Sequence, residues 1–256
     1  MRALLDFLLP PRCRICTAST IGERLPWICQ HCWGAIPLLS APLCAQCGQP
    51  FAAPPEGIGT TTHRCGTCLL RPPPYEQARA VGLYHGVLRD AIHVMKYQGV
   101  YGLIEPLAGL LQSQFARHWG AQQVDALIPV PLHRSKLRER EFDQALALAW
   151  YLGKGVDIPV WQNRLIRQRR TISQVGLNAT QRLQNVRGAF ALKIPSACAG
   201  KGLLLIDDVY TTGATLQECA RLLRQAGASW VGAYTLARVG EPQHSDWKHT
   251  PAESEA

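Results

Sequence analysis

Eight cysteines fall in four CxxC pairs within the first seventy residues: CRIC at 13–16, CQHC at 29–32, CAQC at 44–47 and CGTC at 65–68. Twelve residues separate the first two pairs and seventeen the last two. Two such tight turns close a tetrahedral sulfur cage, so the spacing predicts two zinc ribbons with four thiolates each. Disulfides are the competing account, but the start, MRALLDFLLPPRC, carries no export signal: its apolar run is short, Asp6 interrupts it, and no small-residue cleavage site follows. A thioredoxin-like redox pair would explain one CxxC and not four. Sequential pairing gives one site from Cys13, Cys16, Cys29 and Cys32, and another from Cys44, Cys47, Cys65 and Cys68; spacing alone leaves a crossed arrangement open. Either way every coordination position is filled, so both ions are expected to be structural. His31 and His63 read as exposed neighbours of full cages, and Cys219 as a small buried residue inside a helical pattern.

The segment around these pairs is rich in Pro and Gly and poor in periodic apolar runs, so metal binding is expected to supply much of its folding free energy. Zinc also alters the charge. Eight thiolate charges set against two divalent ions lower the formal +9 to +5, a mildly basic balance compatible with phosphate-bearing ligands. Three prolines in LRPPPYEQ at 70–77 mark a stiff connector. The expected organisation is a double ribbon at 1–70, a linker at 71–78, a larger domain at 79–240 and a disordered tail at 241–256. No span suits a membrane helix, and the protein is expected in the cytoplasm.

Beyond the linker, strands and helices alternate. ARAVGLY (78–84), VDALIPV (124–130), KGLLLID (201–207) and SWVGAYTLA (229–237) suit strands. Helical patterns lie at 87–97, 102–119, 143–152 and 214–227. This order predicts an α/β fold: an open, mostly parallel sheet with helices on both faces. The apolar GLLLI fits a central strand buried on both sides, and ligands of such sheets gather outside the carboxyl ends of strands. There the chain reads LLLIDDVYTTGAT, residues 203–215. Adjacent strand residues point to opposite faces, so Asp207 and Asp208 are expected to meet one ligand only where the strand has ended. Thr211, Thr212, Gly213, Ala214 and Thr215 then lead into a helix, where free N–H groups, hydroxyls and the helix dipole suit phosphate. Carboxylates for hydroxyls beside a loop for phosphate suit a sugar phosphate.

This stretch resembles the phosphoribosyl-pyrophosphate motif of type I phosphoribosyltransferases. The cysteine pairs, YHGVLRDAIHVMKYQG (84–99), DALIPVPLHRSKLREREFDQ (125–144) and RQRRTISQVGLNATQRLQNVRGAF (167–190) are similar to the ComF/GntX family over nearly the whole chain to about residue 240. The resemblance implies that Asp207 and Asp208, the candidate catalytic pair, contact the ribose hydroxyls. It implies that the loop 211–215 wraps the 5-phosphate, that His133 and Arg134 hold pyrophosphate, and that Lys96 is a further phosphate contact. It also implies Mg²⁺ bound with phosphoribosyl pyrophosphate, and a mobile flap carrying Arg167, Arg169, Arg170, Arg182 and Arg187. Two departures stand out. Family members usually read RGFNQ where this chain has REFDQ at 140–144, placing Glu141 and Asp143; Val100 stands where the family has an acid. Two functions follow from the resemblance. One is a transferase of unknown acceptor, with no residue assigned as general acid or base. The other is a competence accessory that binds single-stranded DNA or a helicase; a sensor that keeps only the sugar-phosphate site is weaker without a helix-turn-helix pattern.

Overall fold

The computed structural model describes residues 11–51, 63–120, 122–140, 142–171 and 178–240. Four parallel strands, β1 (Gln77–Leu83), β2 (Ala126–Pro129), β5 (Gly202–Tyr210) and β6 (Trp230–Arg238), form one sheet in the order β1-β6-β5-β2. A separate antiparallel pair, β3 (Leu165–Arg167) and β4 (Phe190–Leu192), brackets the arginine-rich stretch. This hairpin was not legible as strands.

Alternation along β5 builds the molecule's two cores. Leu204 and Ile206 enter one buried cluster with Leu88 and Ile92 of α3 (Gly86–Tyr97), Leu107 and Leu111 of α4 (Ile104–Trp119), and Leu148 and Leu152 of α6 (Gln144–Val156). Leu203 and Leu205 enter the other, with Leu216, Cys219 and Leu223 of α8 (Ala214–Gln225) and with Phe190 of β4. Both faces are therefore covered, as continuous apolar strands require. Cys198 and Cys219 are buried packing residues.

The ribbons feed these same two cores. Cys13, Cys29 and Cys32, with α1 (Gln30–Gly34) following, join the first cluster. Cys44, Cys47 and Cys68, with α2 (Gly66–Leu70), join the second. The chain between the ribbons runs along the outer edge of β1: Leu39 N–H donates to Val81 O at 2.8 Å and Leu83 N–H to Pro37 O at 2.9 Å. An otherwise open sheet edge is thereby satisfied. In the proline-rich connector, Pro73 and Tyr75 are buried and Gln77 already opens β1. No helix among the described residues is long and apolar enough to cross a membrane.

Candidate functional site: a diacid crevice beside a zinc ribbon

The crevice arises because β5 outruns its neighbour. Pairing of β2 with β5 stops at Pro129↔Ile206, while β5 continues beside β6 to Tyr210↔Arg238. Asp207 and Asp208 thus both occupy strand positions, correcting the expected strand of 201–207: β5 runs three residues further, to Tyr210. The pleat sends them to opposite faces. Asp208 follows the parity of Leu204 and Ile206 and meets α3, where Lys96 Nζ lies 2.7 Å from its Oδ2, both side chains mostly buried. Asp207 follows the parity of Leu203 and Leu205 and lies toward α8, where its charge is felt by Cys219 and by Arg167 of β3. Because β2 has ended beside them, that edge of β5 is unpaired at both acids.

Electrostatics distinguishes the two. Burial, then the charge of Asp208, pushes the Asp207 carboxyl up to about 8, against the opposing pull of Lys96 and of the Asp208 N–H, which donates to Asp207 Oδ1 at 2.8 Å. A third acid adds to this field. Asp143 caps α6, its Oδ1 accepting from Leu146 N–H at 3.0 Å, and its own carboxyl is raised by burial and by Asp208. Asp143 thus supplies a helix cap as asparagine would, but adds negative charge to the diacid. Glu141, the other departure, lies outside the described residues. Val100 is buried.

After β5 the loop turns into α8. Gly213 has φ of +76°, and a Cβ there would come within 2.3 Å of the Tyr210 hydroxyl, so both conformation and space demand glycine. No side chain caps α8 at Gly213. Thr212 Oγ1 is buried without a hydrogen-bond partner among the described residues. Thr211 is exposed, Thr215 half-buried, and Ala214 buried beneath the turn.

On the β2 side, His133 starts α5 (Arg134–Arg140): its Nδ1 accepts from Ser135 N–H at 3.2 Å and lies 2.9 Å from Ser135 Oγ. Arg134 is exposed. At the base of the β3–β4 excursion, Arg169 Nη2 donates to the Asn185 and Arg187 carbonyls at 2.9 Å each. It thereby fastens the end of α7 (Ala179–Val186). Arg167 donates to Thr171 Oγ1 and lies over the Phe190 ring. The intervening residues 172–177, with Gln174 and Gly176, lie outside the described residues.

Both cysteine sets are sequential. The four Sγ atoms of Cys13, Cys16, Cys29 and Cys32 lie within 4.8 Å of one another, as do those of Cys44, Cys47, Cys65 and Cys68. Cys16–Cys29 and Cys47–Cys65 are 3.6 and 3.7 Å apart. The edge of a tetrahedron with Zn–S of about 2.3 Å is about 3.8 Å, so the residues fit zinc. Backbone N–H groups of Cys47 and Cys65 donate to Cys44 Sγ at 3.4 and 3.3 Å, steadying a thiolate. His31 and His63 stand outside both sets.

A residue with no sequence signal beyond ending an apolar strand ties the second ribbon to the crevice. Arg238, buried at the end of β6, donates to Cys47 O at 2.7 Å, to Cys47 Sγ at 3.7 Å and from Nε to Gln49 Oε1 at 2.9 Å. Its guanidinium lies 4.3 Å from the Tyr210 ring centre, and Tyr210 in turn meets the hydroxyl of Tyr75 at 2.6 Å. The residue after Tyr210 begins the phosphate-type loop.

Residues 4–69 match the double zinc ribbon domain and residues 162–250 the phosphoribosyl transferase domain. Competence protein F of Haemophilus influenzae is 31% identical over 221 residues, covering 82% of this chain and 96% of that protein. The chain belongs to the ComF family. DNA utilization protein YhgH of Escherichia coli K12 is also 31% identical, over 90% of this chain and 98% of that one. Among solved structures, glutamine phosphoribosylpyrophosphate amidotransferase from B. subtilis, complexed with ADP and GMP, aligns at TM-score 0.35 and 20% identity, over 52% of this chain and 26% of that longer one. The ComF chain thus joins two zinc-binding cysteine clusters to a parallel α/β domain of phosphoribosyltransferase type.

Proposed function

We propose that this ComF chain binds phosphoribosyl pyrophosphate with Mg²⁺ in the crevice where β5 outruns β2, and serves the handling of imported single-stranded DNA in the cytoplasm. The observation that carries the proposal is the continuity of an open-edged diacid strand with a glycine-initiated, uncapped helix. Asp207 and Asp208 accept from the ribose hydroxyls, and the Lys96 ammonium, 2.7 Å from Asp208 Oδ2, holds that carboxylate in place. N–H groups of residues 211–215 and the Thr212 hydroxyl, which has no internal partner among the described residues, receive the 5-phosphate. Residues 131–134 after β2 flank the pyrophosphate, with Arg134 supplying charge. Mg²⁺ is held mainly by ligand oxygens and water and offsets pyrophosphate charge. Asp208 is already committed to Lys96, which agrees with a metal carried by the ligand rather than by a protein cage. In transfer, the anomeric carbon loses pyrophosphate with its bonding electrons and bonds to the acceptor, while the two acids fix the sugar.

The names of the relatives, a competence protein and a DNA utilization protein, support the second half of the proposal. They also favour a second reading, in which the crevice binds without transfer and the arginine-rich flap and ribbons engage single-stranded DNA or a helicase. Calorimetry with phosphoribosyl pyrophosphate and Mg²⁺ tests the site: binding to the wild type and none to Asp207→Ala/Asp208→Ala is expected, and equal affinity refutes the assignment. Pyrophosphate release with a panel of bases and amines then separates transfer from binding alone.

A further inference from the structure

The phosphate-type loop has a second side. A cleft of about 470 Å³ lies between it and the second ribbon, within the roughly 300–1,000 Å³ of small-molecule sites. Its walls include Thr211 and Thr212 from the loop, Gln217 from α8, Arg182 from α7, and Thr67 and Arg71 from the end of the ribbon. Neither acid of the crevice borders it, nor do Lys96 and His133, and no carboxylate is among its lining residues.

Sheet order fixes where the cleft stands relative to a ligand in the crevice. The loop after β2 lies on one flank of β5; the cleft, reaching Val239 and Gly240 beyond β6, lies on the other. A sugar phosphate on Asp207 and Asp208, with its 5-phosphate at Thr211–Thr215, therefore points its phosphate toward the cleft. Its anomeric carbon points away, so the cleft is not placed for a transfer acceptor. It is placed for whatever is attached to the far side of the phosphate. Free phosphate needs no such room. A phosphodiester does.

We propose that the cleft is a subsite for a second nucleotide joined through the 5-phosphate, so that the ComF crevice accepts the 3′-terminal unit of a strand with the preceding nucleotide against the ribbon. This rests on the sugar-phosphate reading above. Arg71 makes no ion pair among the described residues and is exposed at the end of α2, where it meets the preceding unit's sugar or base edge. Arg182 faces it from α7, while Thr67 and Gln217 offer neutral hydrogen-bonding groups. Arg238, spent on Cys47 and Gln49, balances the thiolates that would otherwise repel a phosphodiester.

Two ligands of equal charge isolate the subsite: uridine 5′-(methyl phosphate), and the dinucleotide uridylyl-(3′→5′)-uridine. Calorimetry on the full, zinc-loaded chain is expected to show the dinucleotide binding about fivefold more tightly, the size of one charge-assisted hydrogen bond at a wetted site. Arg71→Ala is expected to erase that advantage and leave the methyl ester unchanged. Thr67→Trp, an exposed substitution that fills the cleft, is expected to do the same. Equal binding of the two ligands by the wild type overturns the subsite, as does equal weakening of both by either variant. Should ribose 5-phosphate and the methyl ester both fail to bind, the sugar-phosphate reading falls, and this inference with it.

Discussion

The two ribbons have the same four-thiolate plan and are attached in opposite ways. The first is a wedge of core. Its Trp27 indole fills the space over Gly102 so closely that a Cβ there would come within 2.1 Å of Nε1, and its cysteines sit among the leucines of α3 and α4. The second is held by polar groups. Ala78 N–H donates to Gln46 O at 2.6 Å, Arg79 reaches the carbonyls of Cys44 and Ala45, and Arg238 reaches Cys47 twice. Among the described residues, this ribbon shares a cleft with Thr211 and Thr212. Apolar attachment sets stability and tolerates small shifts, whereas hydrogen bonds from buried Arg238 and half-buried Arg79 set position. Both ribbons reach a core, and the second is in addition positioned by directed hydrogen bonds.

The largest expected effect separates them outright. Cys13→Ser and Cys44→Ser are each expected to lose one zinc by elemental analysis, but only Cys44→Ser to weaken sugar-phosphate binding, by more than about tenfold, because metal binding carries the ribbon's folding. Equal weakening by both would erase the distinction. Next, Trp27→Ala should cost about 2 kcal/mol in denaturant unfolding, as a half-buried large residue, with ligand affinity retained. Arg238→Met should leave the first zinc untouched and lower affinity for the second about tenfold in chelator competition, as loss of a thiolate's outer partner does. The smallest effect belongs to the diacid. Ionised, Asp207 accepts from sugar hydroxyls with both oxygens and more strongly, so wild-type binding should strengthen as pH rises through about 8, and Asp207→Asn should flatten the profile. Trp27→Ala should keep that slope at full affinity; Arg238→Met should keep it at reduced affinity. Stability runs the other way. The raised carboxyl favours the fold in acid and loses that contribution as pH climbs from about 4 toward 8. Asp207→Asn should therefore gain stability relative to the wild type at pH 8.5, and the gain should vanish near pH 4.

Local pattern made much of this legible. GLLLI announced a doubly buried strand, the four CxxC units announced two cages, and TTGAT announced the turn into a helix. What escaped was set by tertiary geometry. Nothing in the sequence says that β2 stops at Pro129 while β5 runs on beside β6, and so the end of β5 was placed three residues early. The hairpin of β3 and β4 has only three residues per strand, too few to show a period. Arg238 reads as a polar residue closing an apolar run; its value comes from Cys47, 191 positions away in sequence. Asp143 stood out only as a departure, and its place beside the diacid depends on where α6 begins.

The hydroxyl pair of Tyr75 and Tyr210 carries a consequence for how such a chain can be divided. Tyr75 belongs to the proline-rich stretch that looks like a hinge between modules, yet it is bolted beneath the loop of the larger one. A gene cut there would part a buried hydrogen bond and bare the edge of β1. The ribbons and the sheet are thus built as one piece: a swap of either partner would need a matching tyrosine on the other side of the join.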